Sequence, residues 1–130
     1  MMSEAAEDAS DAEVERYEKA YRETRRVLDE SIETLMILKE FEDDPDRRDQ
    51  IASKQFDLET ERSDLVRANI AFHTGNATML PPSPSLVSEI MALSKEAAAL
   101  TVERATAAAV LKLATSALNK FAEIQKIGDA

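Results

Sequence analysis

A heptad repeat in the last third of the chain constrains the fold more than any other feature. One series at sevenfold spacing is Leu86, Leu93, Leu100, Ala107, Ala114 and Phe121, and the series between them is Ile90, Ala97, Arg104, Leu111 and Leu118. Ten of these eleven positions are apolar. Apolar residues at alternating steps of three and four lie on one side of an α-helix, where other helices pack against them. The repeat therefore predicts one long helix over residues 84–127.

The composition favours helices throughout the chain. Its 130 residues include only two glycines and four prolines, which leaves few positions for tight β-turns. The length suits one domain with one hydrophobic core. We therefore predict an all-α fold, a three-helix antiparallel coiled-coil-like bundle with a long C-terminal helix.

The boundaries of the predicted helices follow from capping residues and from the positions of proline and glycine. Residues 1–10 are small and acidic and are predicted to form a disordered tail, followed by a single helical domain over 11–128. Ser10 and Glu13 form a capping-box pattern that predicts a first helix over 11–42. Its apolar stripe comprises Val14, Tyr17, Tyr21, Thr24, Leu28, Ser31, Leu35 and Leu38.

The second helix is predicted over residues 45–73. Asp44 is placed to cap it and Pro45 to occupy its first turn, whereas Gly75 is placed to end it. Ser83 or Ser85 then caps the third helix. The predicted stripe of the second helix is Ile51, Leu58, Leu65 and Phe72, widened by Phe56, Val66, Ala68 and Ile70.

Charge argues against a nucleic-acid-binding role. The net charge is −10, and residues 1–44 carry 15 acidic and 6 basic side chains, a balance of −9. Such a surface repels phosphate backbones. The basic residues of the second helix are nearly balanced by acids, since residues 45–83 carry 6 acidic and 5 basic side chains.

The sequence contains no recognisable catalytic or ligand-binding motif. It has one histidine and no cysteine, and it lacks a glycine-rich phosphate loop and a His-Glu-x-x-His zinc motif. His73 is interpreted as a residue at a helix end, where the dipole favours a positive charge. We expect no enzymatic activity, no catalytic residue, no cofactor, no metal and no small-molecule substrate. With no long apolar span and no signal-peptide pattern, we expect a cytoplasmic protein that does not bind membranes.

Helix lengths point to a partner-binding surface. At about 1.5 Å per residue, the predicted helices are about 48, 42 and 66 Å long, so residues 113–127 would project beyond the other two. Exposed apolar patches of this kind usually mark binding surfaces. The predicted partner-binding residues are Leu113, Ala117, Leu118, Phe121, Ile124 and Ile127.

Arg104 is the one charged residue on the seam of the third helix. A buried charge requires a partner, and Asp57 or Glu61 of the second helix is within reach if the two helices pair about residue 79. A seam ion pair of this type fixes register or partner choice. The alternative is a side chain that extends to solvent.

These features indicate a non-enzymatic protein-protein interaction module that binds a partner or itself through the end of the third helix. An adaptor, a secretion chaperone and an assembly subunit all fit. An acidic immunity or inhibitor protein that neutralises a basic toxin or enzyme is one alternative, because an acidic surface speeds association with a basic target. A helical regulatory or nucleic-acid-associated protein is a second alternative, which the acids of the second helix disfavour.

Overall fold

A computed structural model shows a bundle with four helices among the residues that it describes. The structure describes residues 2–74, 82–100 and 105–125, with side chains from 11–74, 82–100 and 105–123. The helices are α1 (Met2–Phe41), α2 (Pro45–His73), α3 (Pro84–Ala99) and α4 (Ala107–Gln125). None of the described residues lies in a β-strand. The predicted all-α class is confirmed.

The first two helices differ in how closely they follow the predicted boundaries. α1 begins at Met2 and continues through Ser10 and Glu13, so residues 2–10 belong to a helix that starts earlier than the capping-box pattern predicted. α2 has the predicted bounds, with Asp44 as its N-cap residue and Pro45 in its first turn. The predicted end at Gly75 lies outside the described residues.

The prediction of one long C-terminal helix is wrong. α3 starts as expected, with the Ser83 side chain accepting a hydrogen bond from the Leu86 N–H at 3.1 Å. It ends at Ala99, and Leu100 has an extended backbone. A new helix follows, since the Thr106 hydroxyl accepts a hydrogen bond from the Ala109 N–H at 3.1 Å. The described part of the chain therefore forms four helices and not three.

The break lets the second half of the heptad pack inside the molecule. α4 buries Val110, Ala114, Ala117 and Phe121, each at most 2 % exposed. Full burial of a large apolar side chain contributes about 1.5–3 kcal/mol, and a continuous helix would leave much of this surface in water. This burial therefore favours the folded-back arrangement over a continuous helix.

α1 is the central helix, and each of the other three packs against it. α2 runs antiparallel to α1, because the Tyr17 and Phe72 rings meet at one end and the chain turns at the other. α3 starts beside Arg16, whose Nε donates to the Pro82 carbonyl at 2.9 Å, and runs parallel to α1. α4 returns antiparallel to both, with Phe121 beside Tyr17.

The core follows from this central position of α1. Its buried residues surround much of the helix because three neighbours cover it, and they include Tyr17, Ala20, Thr24, Val27, Leu28, Ser31, Ile32 and Leu35. The fully buried Thr24 satisfies its hydroxyl by donating to the Ala20 carbonyl at 2.7 Å. The apolar stripe predicted for this helix therefore forms the centre of the fold.

α2 packs through a narrow stripe. Ile51, Leu58 and Leu65 are buried, as their sevenfold spacing predicted. The widening of this face is only partly observed, because Phe56 is 67 % and Ile70 is 55 % exposed. A single helix-helix contact covers only one side of α2, and these two side chains lie on the other side.

Candidate partner-binding groove

An open groove runs between α2 and α4. Both helices pack on α1 and run parallel to each other, but few of their residues approach one another, so a channel of about 460 Å³ separates them. We call it the α2–α4 groove. It is lined by Asp57, Leu58, Glu61, Asp64, Leu65, Leu111, Thr115, Leu118, Asn119, Phe121 and Ala122.

The floor of the α2–α4 groove is apolar. Leu58 and Leu65 come from α2 and are each 4 % exposed, whereas Leu111 and Leu118 come from α4 and are half-buried. These leucines repeat every seven residues on each helix, so two parallel rows lie side by side along the groove. Phe121 lies at one end of the floor. The floor can therefore accept apolar side chains repeated at helical spacing.

The rim of the α2–α4 groove is acidic. Asp57, Glu61 and Asp64 are exposed and follow one face of α2 at steps of four and three. None of the lining residues is basic. The Asp64 carboxylate accepts a hydrogen bond from Arg67 at 3.0 Å, with Arg67 itself outside the lining. The rim thus presents negative charge along an apolar floor.

Lys120 on α4 does not offset this charge, because it points to the other side of the helix. Its Nζ lies 3.0 Å from the Glu89 carboxylate of α3. The hydrogen bond and the charge of Glu89 raise the pKa of Lys120. This ion pair joins α3 to α4 on the surface and does not enter the groove.

Aromatic side chains close one end of the α2–α4 groove. Phe121 lies 5.8 Å from the Tyr17 ring centroid and 6.3 Å from that of Tyr21. Tyr17 also packs on Phe72 at 4.1 Å, and burial raises the pKa of its phenol. His73 ends α2 beside them, with its Nε2 3.5 Å from the Glu18 carboxylate. Ring contacts of this kind fix the positions of α1, α2 and α4 relative to one another.

The structure separates the residues that were predicted to bind a partner. Leu118 and Phe121 line the α2–α4 groove, Ala117 is fully buried in the core, and Leu113 lines a small cavity between α1, α3 and α4. The prediction that residues 113–127 project beyond the other helices is therefore wrong for residues 113–125, which the structure describes, because α4 folds back onto α1. The side chain of Ile124, all of Ile127 and all of Arg104 lie outside the described residues.

Several groove residues were missed as site residues. On the predicted continuous helix Leu111 lies on the seam, and Asp57 and Glu61 are predicted only as partners of Arg104. The core of α4 instead follows Val110, Ala114, Ala117 and Phe121, so the helix is turned such that Leu111 and Leu118 face α2. The sequence feature that indicates this groove is the pair of leucines at sevenfold spacing on each of α2 and α4.

A second unusual feature is the carboxyl group of Glu30. One of its oxygens is buried and has no hydrogen-bond partner among the described residues. Burial raises the pKa of this carboxyl, and the nearby positive charge of Arg26 only partly opposes that effect. Glu30 lines the same small cavity as Leu113, beside the point where α3 ends.

The described residues contain no cluster of acidic or histidine side chains that could hold a metal ion. In the same ranges, no helix is both long and apolar enough to cross a membrane. No protein-family model, curated protein or solved structure matches the chain.

Proposed function

We propose that this chain is a non-enzymatic protein-binding module, of the adaptor, secretion-chaperone or assembly-subunit type, that accepts an amphipathic helix with a basic flank in the α2–α4 groove. One observation carries the proposal: an apolar floor built from two rows of leucine lies beside three carboxylates, and no lining residue is basic. The partner is a protein segment with apolar residues on one face and lysine or arginine beside them.

The shape of the groove favours a helix as the ligand. The groove lies between two helices that run parallel. The two leucines that each helix contributes to its floor are separated by seven residues, or about 10.5 Å along the helix axis. A helix with apolar residues at i, i+3, i+4 and i+7 places side chains at the same interval. An inserted helix would complete the contact between α2 and α4 that the fold leaves open.

Charge favours a basic ligand. The rim residues Asp57 and Glu61 have no ion-pair partner among the described residues, and the whole chain carries a net charge of −10. Complementary charge steers encounter and fixes orientation more than it adds affinity. An acidic helix would instead bring like charges to within a few ångströms of the rim.

A pair of designed peptides tests the proposal. Each is an 18-residue helix with leucine on one face, and the two differ only in carrying lysine or glutamate on the flanks. We expect the lysine peptide to bind and to shift the methyl signals of the groove leucines in NMR spectra. Its affinity falls as salt rises, because exposed charges are screened within about 10 Å at 0.1 M salt.

Charge reversal at the rim provides the matched comparison. Glu61→Lys is expected to weaken the lysine peptide by about tenfold at low salt, which corresponds to about 1.4 kcal/mol. The control is Glu33→Lys, which makes the same change at an exposed position of α1 away from the groove. Equal binding of the two peptides, or equal weakening by the two variants, would contradict the proposal.

A further inference from the structure

The outer side of α2 carries a second heptad stripe, distinct from the stripe that packs on α1. Its members alternate in steps of four and three, and they are Ala52, Phe56, Glu59, Ser63, Val66 and Ile70. Phe56 is 67 % and Ile70 is 55 % exposed, whereas Ala52 and Val66 are half-buried. We call this set the outer α2 stripe. Its two largest apolar side chains, Phe56 and Ile70, are thus left mainly in solvent by the described part of the chain.

The outer α2 stripe has the same pattern when read in either direction. About a midpoint at position 61, Ala52 is opposite Ile70, Phe56 is opposite Val66, and Glu59 is opposite Ser63. The two outer pairs are apolar and the central pair is polar. Such a stripe is complementary to itself when two copies lie antiparallel.

We propose that a second copy of this chain binds to the outer α2 stripe, with the two α2 helices antiparallel about a two-fold axis near residue 61. In a two-fold interface the same patch serves both subunits, so residue i contacts residue j and residue j contacts residue i. This dimer has two Phe56–Val66 layers and two Ala52–Ile70 layers. Between them, the Glu59 carboxylate faces the Ser63 hydroxyl of the other copy, which can donate to it.

The charge distribution makes α2 the suitable helix for this contact. Residues 45–83 carry 6 acidic and 5 basic side chains, whereas residues 1–44 carry 15 acidic and 6 basic ones. Two α1 surfaces would repel each other, whereas residues 45–83 carry a net charge of only −1. Beside the stripe, Thr60 meets its own equivalent and Ser53 meets Arg67, so this flank brings no like charges together.

The opposite flank contains Arg62, which would lie near its own equivalent in the other copy. Its guanidinium donates to the Asp29 carboxylate at 3.0 Å within the same chain, and this ion pair offsets the repulsion. A polar residue in the middle of a seam fixes register in helical dimers. Glu59 and Ser63 would have that role here, because shifting the register by one heptad brings Glu59 opposite an apolar residue.

The proposed dimer is independent of the proposed partner. The rim residues of the α2–α4 groove point, on average, about 130° around α2 from the mean direction of Phe56 and Ile70, at about 100° per residue. A dimer would therefore present two grooves, both open. Loss of the dimer is expected to leave peptide binding by each groove unchanged, and the two proposals can fail separately.

Sedimentation of the full chain across a concentration series tests the dimer. Phe56→Glu is expected to weaken association by at least about 100-fold, since each dimer loses two aromatic contacts and every factor of ten is about 1.4 kcal/mol. The matched control is Phe41→Glu, which removes a phenylalanine that is 75 % exposed at the end of α1. The control is expected to remain dimeric.

Cross-linking tests the direction of the two helices, and the absence of cysteine in the chain makes single-cysteine variants unambiguous. Thr60→Cys places two thiols near the two-fold axis, and a short bismaleimide is expected to join them. Ser53→Cys places the thiols about 21 Å apart along the axis in the antiparallel pair, so the same reagent is expected to fail. Both residues are exposed in the monomer.

The outcomes separate the alternatives. A chain that stays monomeric at all concentrations overturns the proposal, as does a dimer that Phe56→Glu leaves intact. Cross-linking of both cysteine variants would show a parallel pair and would contradict the two-fold arrangement. Equal loss of association in Phe56→Glu and Phe41→Glu would show non-specific hydrophobic association instead of a defined interface.

Discussion

Replacement of Phe121 by alanine tests where the end of the chain packs. In the structure this side chain is 2 % exposed and lies within 5.8 and 6.3 Å of the Tyr17 and Tyr21 ring centroids. Removing a buried phenylalanine costs about 3–5 kcal/mol through lost transfer energy and the cavity that remains. The two ring contacts place Phe121 towards the upper part of that range, since aromatic pairs contribute about 0.5–1.5 kcal/mol beyond burial.

Urea unfolding followed by circular dichroism measures this loss. With a urea dependence of about 1.5 kcal/mol per molar for a domain of this size, the midpoint is expected to fall by about 2–3 M. Phe121→Leu retains most of the apolar volume and is expected to cost about 1.5 kcal/mol. This milder variant keeps the test valid if the alanine variant is too unstable to measure.

Phe41→Ala is the matched comparison, because it removes the same side chain from a position that is 75 % exposed. We expect it to change stability by less than about 0.5 kcal/mol. A single long C-terminal helix would leave Phe121 projecting into water, and both substitutions would then have similar small effects. Equal urea midpoints for Phe121→Ala and Phe41→Ala would refute the packing of α4 on α1.

Three further variants test local features. Tyr17→Phe removes a buried hydroxyl that has no hydrogen-bond partner among the described residues, so thermal unfolding is expected to show a gain of about 1 kcal/mol, and a loss of that size would contradict this assignment. Burial raises the pKa of Glu30 in the folded state. Between the ordinary carboxyl pKa and this raised pKa, the folded chain binds more protons than the unfolded chain. The free energy of unfolding therefore falls as pH rises through that window. Glu30→Gln is therefore expected to stabilise the protein at pH 7 in thermal unfolding, with a gain that shrinks as pH falls below the window. Thr106→Ala removes the hydroxyl that caps α4 at the Ala109 N–H and is expected to cost about 1 kcal/mol in urea unfolding, which Thr106→Ser restores.

Much of the fold could be predicted because local signals and core packing agree. Pro45 predicted the start of α2, because proline fits the first turn of a helix, where an N–H would be unpaired; the Asp44 side chain makes no capping hydrogen bond there. Ser83 predicted the start of α3, where its side chain accepts from the Leu86 N–H. The sevenfold spacing of Ile51, Leu58 and Leu65 likewise matched the buried stripe. These features depend on residues close together in the chain.

The break between α3 and α4 could not be predicted in the same way. It has no glycine or proline, and the heptad repeat continues in the sequence from Leu100 to Ala107 without interruption. Only a comparison of whole arrangements shows that folding back buries Phe121 and Val110. The α2–α4 groove depends on this break, so its residues could be found only in part.

The sequence pattern also did not predict which apolar side chains of α2 remain exposed to solvent. Phe56 and Ile70 were assigned to the packing face of α2 because they are apolar and close to its stripe. A helix that packs on only one neighbour buries a narrow face, and both side chains remain exposed. The outer α2 stripe therefore follows from the observed exposure of Phe56 and Ile70.

The α2–α4 groove exists only if α4 folds back alongside α3, and the separation of residues 89 and 120 tests that arrangement most directly. In the structure Lys120 and Glu89 form an ion pair at 3.0 Å, whereas a continuous helix would separate the two positions by about 46 Å. Spin labels at Glu89→Cys and Lys120→Cys distinguish the two arrangements, since the chain has no other cysteine. Strong dipolar broadening between the labels is the predicted result, and a distance near 46 Å would contradict the fold and the binding groove built on it.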